Sequence, residues 1–241
     1  MKIISWNVNS IRARIENFLE IAKRESPDVF LLQETRVEDA LFPIEYLENL
    51  GYNIAFRGQK ARNGVAILSK YQLEEVNGDF SEEARYLEAF TGGIFVASVY
   101  VPNGKEVEAP QYFQKLDFLR NLRDKFLNFK DDIFIAGGDY NVAPYPKDIY
   151  ISAYDGIAGS QLEREALKGL RDIGYKDPLE NQGFTWWSYR RYDFKKDNGF
   201  RIDQFYLSPL AQELFRGGKV LRYAREFNKP SDHAPISCEL K

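Results

Sequence analysis

The sequence predicts an α/β fold in which two packed β-sheets lie between layers of helices. Short apolar segments with the alternation, or the β-branched and aromatic content, of strands recur throughout the 241 residues. Amphipathic helical segments separate only some of them. Because the predicted strands are too numerous for one open sheet and the helices are few, two packed sheets are the expected arrangement. No linker rich in Gly, Ser or Pro interrupts this order, so we expect a single domain, residues 1–241.

The N-terminal segment predicts a β-α-β unit. Residues Ile3 to Val8 alternate as a strand does, and Ser10 lies where an N-cap would begin a helix. Pro27-Asp28 would end that helix, and the apolar run Val29 to Leu32 is typical of a strand buried on both faces. The buried face of the helix would carry Ile11, Ile15, Phe18, Leu19 and Ala22.

The remainder of the chain predicts more strands and two longer helices. One helix is amphipathic, and the other begins at a capping-box pattern, Ser160-x-x-Glu163. The apolar positions of these two helices are Phe113, Leu116, Leu119, Leu122 and Phe126 in the first, and Leu162, Ala166, Leu167 and Leu170 in the second. The predicted strands are Tyr52 to Phe56, Gly64 to Ser69, Ile94 to Val101, Ile133 to Ala136, Phe184 to Trp187, Arg201 to Leu207 and Pro235 to Leu240.

Composition excludes several classes of protein. The formal net charge of -3 gives no general attraction to nucleic acid, so a DNA-binding face would have to be local. The one cysteine, Cys238, permits neither an intrachain disulfide nor a Cys-rich zinc site, and we expect a buried thiol. No apolar stretch approaches membrane-spanning length, and no signal peptide is recognisable. We therefore expect a cytoplasmic protein without membrane association.

Polar residues follow the ends of the apolar strands. Asn7, Glu34 and the segment Asp139 to Asn141 each come directly after such a run, and Asp203 and the pair Asp232-His233 lie beside later strands. Each residue alone is commonly a turn former. Ligand sites in α/β sheets nevertheless gather at strand ends, so together these residues predict a site.

The residue types predict a hard metal site. Several carboxylates beside apolar segments would be costly to bury without a cation, and oxygen donors with a single histidine favour Mg²⁺ or Mn²⁺ over zinc. Such an ion is suited to phosphate chemistry. His233 is the only histidine, and Asp203 could orient its imidazole.

Motifs at these positions resemble the exonuclease III-type apurinic/apyrimidinic (AP) endonucleases, within the wider endonuclease/exonuclease/phosphatase superfamily. Each motif alone is weak, but their order and spacing match through nearly the whole chain. They are Trp6 to Arg12, Leu32 to Thr35, Asn63 to Ala66, Tyr100 to Asn103, Gly138 to Ala143, Phe184 to Tyr189, Arg201 to Asp203 and Ser231 to Pro235.

The resemblance implies a deoxyribonuclease I-like, four-layered α/β sandwich with two mainly antiparallel sheets. It implies Mg²⁺-dependent hydrolysis of DNA 5′ to abasic sites that leaves a 3′-hydroxyl, with Mn²⁺ as a substitute ion. Further 3′-5′ exonuclease and 3′-phosphatase activities are expected, on double-stranded DNA with abasic sites or 3′ ends, and we expect a monomer. The sequence does not rank these activities.

The resemblance also implies roles for individual residues. Glu34 would be the principal metal ligand, Asp139 would position or deprotonate the attacking water, and Asp203 would orient His233. Whether His233 is a general base or a charged phosphate ligand stays open, as does the choice between one metal and two. The full sets are Tyr100, Asp139, Asn141, Asp203 and His233 for catalysis, Asn7, Glu34 and Asp232 for the metal, Asn103, Arg62 and Lys105 for DNA, and Trp186, Phe200 and Ile202 for an abasic-sugar pocket; Trp187 is expected in the core.

Two departures from the family pattern limit these expectations. Arg36 stands where the family frequently has lysine, and the segment Ile149 to Ser160 is short beside the loop that many relatives carry. The balance among the activities therefore stays open. The alternatives are another phosphoesterase of the superfamily that acts on non-DNA phosphoesters, and a catalytically silent DNA-binding module.

Overall fold

The computed structural model describes residues 1–150 and 158–241, and eleven strands in these ranges form two sheets. In spatial order, the first sheet contains β10 (Phe215–Val220), β11 (Ile236–Leu240), β1 (Lys2–Asn7), β2 (Val29–Gln33), β4 (Val65–Ser69) and β3 (Asn53–Arg57). The second contains β5 (Glu74–Asn77), β6 (Tyr86–Thr91), β7 (Ile94–Tyr100), β8 (Phe134–Asp139) and β9 (Asp203–Leu207). Only the pairs β1–β2 and β7–β8 are parallel. The mainly antiparallel two-sheet arrangement is confirmed.

Helices cover the outer faces of both sheets. The helices in the described ranges are α1 (Ile15–Glu25), α2 (Ile44–Glu48), α3 (Pro110–Leu127), α4 (Gln161–Asp172), α5 (Asp193–Lys196) and α6 (Pro209–Leu214). Helices α1 and α2 pack on the first sheet, and α3 and α4 pack on the second. On the first sheet, Phe18 of α1 packs with Phe30 of β2, and on the second, Leu119 of α3 lies in one cluster with Phe134 of β8. A third cluster fills the space between the sheets. The result is four layers, as predicted.

The strand register brings the polar strand ends to one edge. Asn7 pairs with Gln33 across β1 and β2, and Asp139 pairs with Tyr100 on β7 and with Asp203 on β9. Because the two sheets pack face to face, these ends lie together at one edge of the sandwich. The fold thus supplies the rigid frame on which the predicted site is built.

Several local predictions were wrong. Helix α1 begins at Ile15 after a 3₁₀ turn at Arg12–Arg14, because Ser10 has a φ of 85°, outside the extended conformation of an N-cap. The N–H of Ser10 instead donates to the carbonyl of Glu34 at 2.7 Å. Ile21, not Leu19, completes the buried face of α1.

The predictions for the later segments also needed correction. Residues 184–187 form isolated bridges through Trp186 and no strand, and Phe113 and Leu162 are exposed. The capping box of α4 is confirmed by Ser160 and Glu163, and Cys238 is buried. Most of the short segment Ile149 to Ser160 lies outside the described residues. No helix in the described ranges is both long and apolar enough to cross a membrane.

Candidate active site

The polar strand ends surround a cavity of about 270 Å³. One wall is polar and the adjoining wall is mostly apolar. Apart from Arg36 and Ala158, every residue of the lining was a predicted site residue. The lining residues are Glu34, Arg36, Tyr100, Asn103, Asp139, Asn141, Ala158, Trp186, Phe200, Ile202, Asp232 and His233.

Asn7 joins the two sheets at the base of the site. Its Nδ2 donates to Oε1 of Glu34 at 2.8 Å and to Oδ2 of Asp139 at 3.0 Å. Its Oδ1 accepts the N–H of Asn9 at 3.0 Å, which fixes the orientation of the amide. Asn7 therefore presents donors to the carboxylates, and its oxygen faces away from them.

Glu34 follows β2 in a left-handed conformation with a φ of 51°. The loop at Glu34 and Thr35 can approach the 63–64 turn closely because residue 64 is glycine: a Cβ there would lie 2.1 Å from Oγ1 of Thr35. Arg36 donates to Oε2 of Glu34 through Nε at 2.8 Å and also through Nη2. The sequence did not predict this ion pair, although it singled out position 36.

Asp139 ends β8 and is 1% exposed. Asn141 holds both of its oxygens, with the backbone N–H donating to Oδ1 at 2.9 Å and Nδ2 donating to Oδ2 at 3.2 Å. Tyr100 lies on the neighbouring strand β7, with the guanidinium of Arg85 stacked 4.8 Å from its ring centroid. Asp139 is thus held rigidly and its oxygens face the cavity.

His233 lies between two carboxylates. Its Nδ1 is 2.9 Å from Oδ2 and 3.1 Å from Oδ1 of Asp203, and its Nε2 is 3.8 Å from Oδ2 of Asp139. Asp203 is itself held by Thr185, whose Oγ1 accepts the N–H of Asp203 at 3.0 Å and that of Ile202 at 3.1 Å. Sequence reasoning missed Thr185, because a threonine within an apolar motif gives no signal of this contact.

The loop that carries Asp232 and His233 is fastened to β1. Ser231 Oγ donates to the carbonyl of Asn7 at 2.8 Å, and the indole of Trp6 donates to the carbonyl of His233 at 3.2 Å. Asp232 accepts hydrogen bonds from Asn9 Nδ2 at 2.8 Å and from the Trp186 indole at 3.0 Å. These bonds fix the carboxylate of Asp232 at the junction of the polar and apolar walls.

Burial and the neighbouring charges shift the pKa values of the site residues. Burial raises the pKa of Asp139 to about 7, although His233 opposes the shift. Burial lowers the pKa of His233, but Asp203 and Asp139 outweigh it and raise that pKa to about 10. Burial, together with Glu34 and Asp139, holds the pKa of Tyr100 well above its ordinary value. The imidazole is therefore arranged to carry a positive charge.

The donor set fits a divalent metal ion. Glu34, Asp139 and His233 each place one ligand atom within 4.8 Å of the others, and all three side chains are buried. Burial is the main cause of the raised pKa of Asp139, and the carboxylates of Asp203 and Glu34 add to it, so a cation here would offset the cost of the buried charge. Since the raised pKa of His233 keeps both of its ring nitrogens protonated, the oxygens of Glu34 and Asp139 are the atoms best suited to a hard cation.

The apolar wall consists of the predicted pocket residues. Phe200 and Ile202 are buried and pack with Ala158, and Trp186 contacts this cluster with its ring 5.2 Å from that of Phe200. Trp187 is fully buried, which confirms its expected place in the core. The cavity thus has room for a small apolar group beside its polar wall.

The predicted DNA-binding residues divide between two clefts. Asn103 lines the cavity and also a neighbouring surface cleft of about 720 Å³. Arg62 and Lys105 line only this second cleft, together with Arg85 and Glu83. The two clefts share Asn103 in their linings and therefore adjoin each other.

Comparison with known proteins identifies the family. The model of the endonuclease/exonuclease/phosphatase family matches residues 4–233. The chain belongs to this family. Exodeoxyribonuclease III of Haemophilus influenzae is 32% identical over 268 residues, and the match covers 100% of both chains.

Two solved structures are similar to this chain over its whole length. A structure described as an AP endonuclease from Archaeoglobus fulgidus has a TM-score of 0.95 at 30% identity, covering 100% of this chain and 99% of that one. A 3′ phosphatase from Neisseria, bound to a product DNA hairpin, has a TM-score of 0.94 at 30% identity with the same coverage. The family and its α/β sandwich are therefore established for this chain.

Proposed function

We propose that this chain is a Mg²⁺-dependent DNA phosphodiesterase that cleaves the backbone 5′ to an abasic site and leaves a 3′-hydroxyl. The observation that carries this proposal is the two-sided cavity, in which a wall of charged and amide groups adjoins an apolar wall. A phosphate would lie on the first wall and a sugar without its base on the second. The similarity to exodeoxyribonuclease III and to an AP endonuclease supports the same substrate class.

The polar wall is arranged to activate water and to stabilise charge on a phosphate. Asp139, held by Asn7 and Asn141, would orient the attacking water and accept its proton. His233, with a carboxylate near each ring nitrogen, would act as a positively charged phosphate ligand oriented by Asp203. Tyr100 and Asn141 line the same wall and would contact the phosphate.

Glu34 would hold the metal ion, and Asp232, which lines the same cavity, would contribute a second carboxylate. Asn7 would support the carboxylates of Glu34 and Asp139 through its N–H groups and would not bind the ion directly. When bound, Mg²⁺ supplies charge neutralisation at the phosphate and stabilises the leaving oxygen. The choice of Mg²⁺, with Mn²⁺ as its substitute, follows from the oxygen-rich donor set.

The apolar wall would select the substrate. Extrusion of a nucleotide from the duplex is easiest where the base is absent, and a small apolar pocket excludes a normal base by size. Trp186, Phe200 and Ile202 would contact the extruded sugar. Asn103, Arg62 and Lys105 would contact backbone phosphates along the adjoining cleft and so position the duplex.

A second activity, removal of a 3′-terminal phosphate, is favoured by Arg36. Its guanidinium lines the cavity beside Glu34, where it could neutralise the additional charge of a terminal phosphate. The similarity to a 3′ phosphatase from Neisseria supports this second candidate. Both activities would use the same polar wall.

Product analysis on a small panel of substrates tests the proposal. The panel contains a duplex with one tetrahydrofuran abasic analogue, the matched intact duplex, a duplex ending in a 3′-phosphate, and the small diester bis(p-nitrophenyl) phosphate. We expect incision of the abasic duplex in Mg²⁺ and none in EDTA. Turnover of the small diester with no action on any duplex would favour a non-DNA phosphoesterase, and DNA binding without turnover of any substrate would favour a silent module.

A further inference from the structure

A buried lysine lies directly behind the polar wall. Lys115 of α3 has 0% exposure, and its Nζ donates to the backbone carbonyl of Asn141 at 2.6 Å and to that of Asn103 at 3.3 Å. It also forms an ion pair with Glu163 at the start of α4. One ammonium group therefore joins two helices to the two loops that follow β7 and β8.

The loop after β7 is shaped to admit this lysine. Gly104 has a φ of 82°, and a Cβ at this position would lie 2.7 Å from Cδ of Lys115. Glycine at 104 is thus required both by the backbone conformation and by the space that the lysine stem occupies. The sequence of the loop and the position of Lys115 are matched to each other.

Asn141 connects Lys115 to Asp139. Asn141 has a left-handed φ of 50°, a conformation that costs energy for most residues and persists where the surroundings enforce it. In that conformation its carbonyl faces Lys115 while its N–H and its side-chain amide hold the two oxygens of Asp139. We propose that Lys115 is a positioning residue that fixes Asp139 through Asn141.

A purely structural role would not require this arrangement. A buried ion pair contributes little to stability compared with well-packed apolar residues, whereas it can fix a unique geometry. The proposal rests on the proposed function, because it takes Asp139 to be the group that orients the attacking water. Displacement of a reacting group by about 1 Å can cost about 100-fold in rate.

The test removes the ion pair without leaving a buried unpaired charge. In Lys115→Met/Glu163→Gln the glutamine can still accept the N–H of Ser160, as Glu163 does at 2.8 Å. We expect kcat for the abasic duplex to fall roughly 10- to 100-fold with KM changed less than about threefold. Glu163→Gln alone leaves the buried Lys115 ammonium without a charged partner and should lower the melting temperature, but it keeps the bonds from Lys115 to the carbonyls and should retain kcat within about threefold.

The matched control lies on the same helix. Lys125→Met removes the ion pair with Glu88, at 2.7 Å, near the opposite end of α3 and outside the lining of the cavity, and should leave kcat unchanged. The same double substitution in an Asp139→Asn protein should cost less than about twofold, because Lys115 acts through Asp139. A full additive loss in that background, or an unchanged kcat in the folded double variant, would overturn the proposal.

A readout without substrate separates this proposal from the proposed function. Selective ¹⁵N-asparagine labelling reports the backbone and side-chain amides of Asn103 and Asn141. These resonances should shift in the Lys115→Met/Glu163→Gln protein and stay in place in Lys125→Met. If the wild-type protein incises no DNA, the proposed function fails, while the resonances still test whether Lys115 positions Asn141. Unchanged resonances would refute the role of Lys115 alone.

Discussion

Replacing Asp203 with asparagine tests the orientation of His233 with little change in side-chain volume. Asp203 is 3% exposed and His233 4% exposed, so water cannot take over the lost interaction. The two oxygens of Asp203 lie 2.9 and 3.1 Å from Nδ1 of His233. An asparagine offers one neutral oxygen in their place and can turn its NH₂ group toward the ring.

The magnitude follows from these contacts. A hydrogen bond to a charged group contributes about 1.5–3 kcal/mol, and each 1.36 kcal/mol is a factor of about ten in rate. Asp203→Asn should therefore lower kcat roughly 10- to 150-fold if the bond is fully used in the transition state. His233→Ala removes the phosphate ligand itself and should cost more, about two to four orders of magnitude.

The assay is single-turnover incision of a duplex with one tetrahydrofuran site, at saturating protein. Glu88→Gln is the matched control, since Glu88 is also buried and lies on β6, outside the lining of the cavity. Each variant's thermal unfolding is measured so that lost folding is not counted as lost chemistry. A folded Asp203→Asn protein whose kcat stays within about threefold of wild type would refute the role of Asp203.

Three further predictions concern the pocket, the water-activating carboxylate and a peripheral ion pair. Ile202→Phe should fill the apolar wall and lower incision of the abasic duplex roughly 10- to 100-fold, with little change for bis(p-nitrophenyl) phosphate; equal losses on both substrates would contradict a sugar pocket. Asp139→Asn should lower kcat by about two to four orders of magnitude with DNA affinity, measured by fluorescence anisotropy, nearly unchanged; near-normal turnover would exclude the assigned role. Burial raises the pKa of Glu25, but hydrogen bonds from Lys2 and Tyr223 outweigh it and hold that pKa below 4.5. A carboxylate whose pKa is lowered in the folded state stabilises the fold above its unfolded pKa and loses this effect as pH falls through the folded pKa. Glu25→Gln should therefore lower the free energy of unfolding by about 1 kcal/mol near neutral pH, and the difference from wild type should disappear in acid. A difference in denaturant unfolding that does not change with pH would contradict this role of the Glu25 charge.

The sequence predicted the strands whose apolar pattern reflects their burial, but it missed the edge strands β5 and β10 and the inner strand β6, Tyr86–Thr91. The apolar run Val29 to Leu32 is buried on both faces in β2, so its composition directly reflects its position. Strand β5, Glu74–Asn77, is mostly exposed, and β10, Phe215–Val220, contains two glycines, so neither carries the apolar pattern of a buried strand. These strands form through pairing with their neighbours, which a local pattern does not reveal.

The site was more predictable than the contacts that support it. A polar residue directly after a buried strand, such as Asp139, has a fixed place at the sheet edge, and so its convergence with Asp203 follows from the fold. Thr185 lies in the Phe184 to Tyr189 motif and Lys115 lies in α3, and the sequence of neither segment predicted a polar contact to the site. Their roles depend on tertiary packing, where a polar atom meets a backbone group distant in sequence.

The most direct test of the proposed function is the position of the cut on a duplex with one tetrahydrofuran site, compared in Mg²⁺ and in EDTA. The arrangement of the two-sided cavity predicts one Mg²⁺-dependent incision immediately 5′ to the modified sugar, with a 3′-hydroxyl at the new end. It also predicts that the matched intact duplex is not incised internally. Failure of the folded protein to cut the modified duplex, or equal internal cutting of both duplexes, would contradict the proposed function.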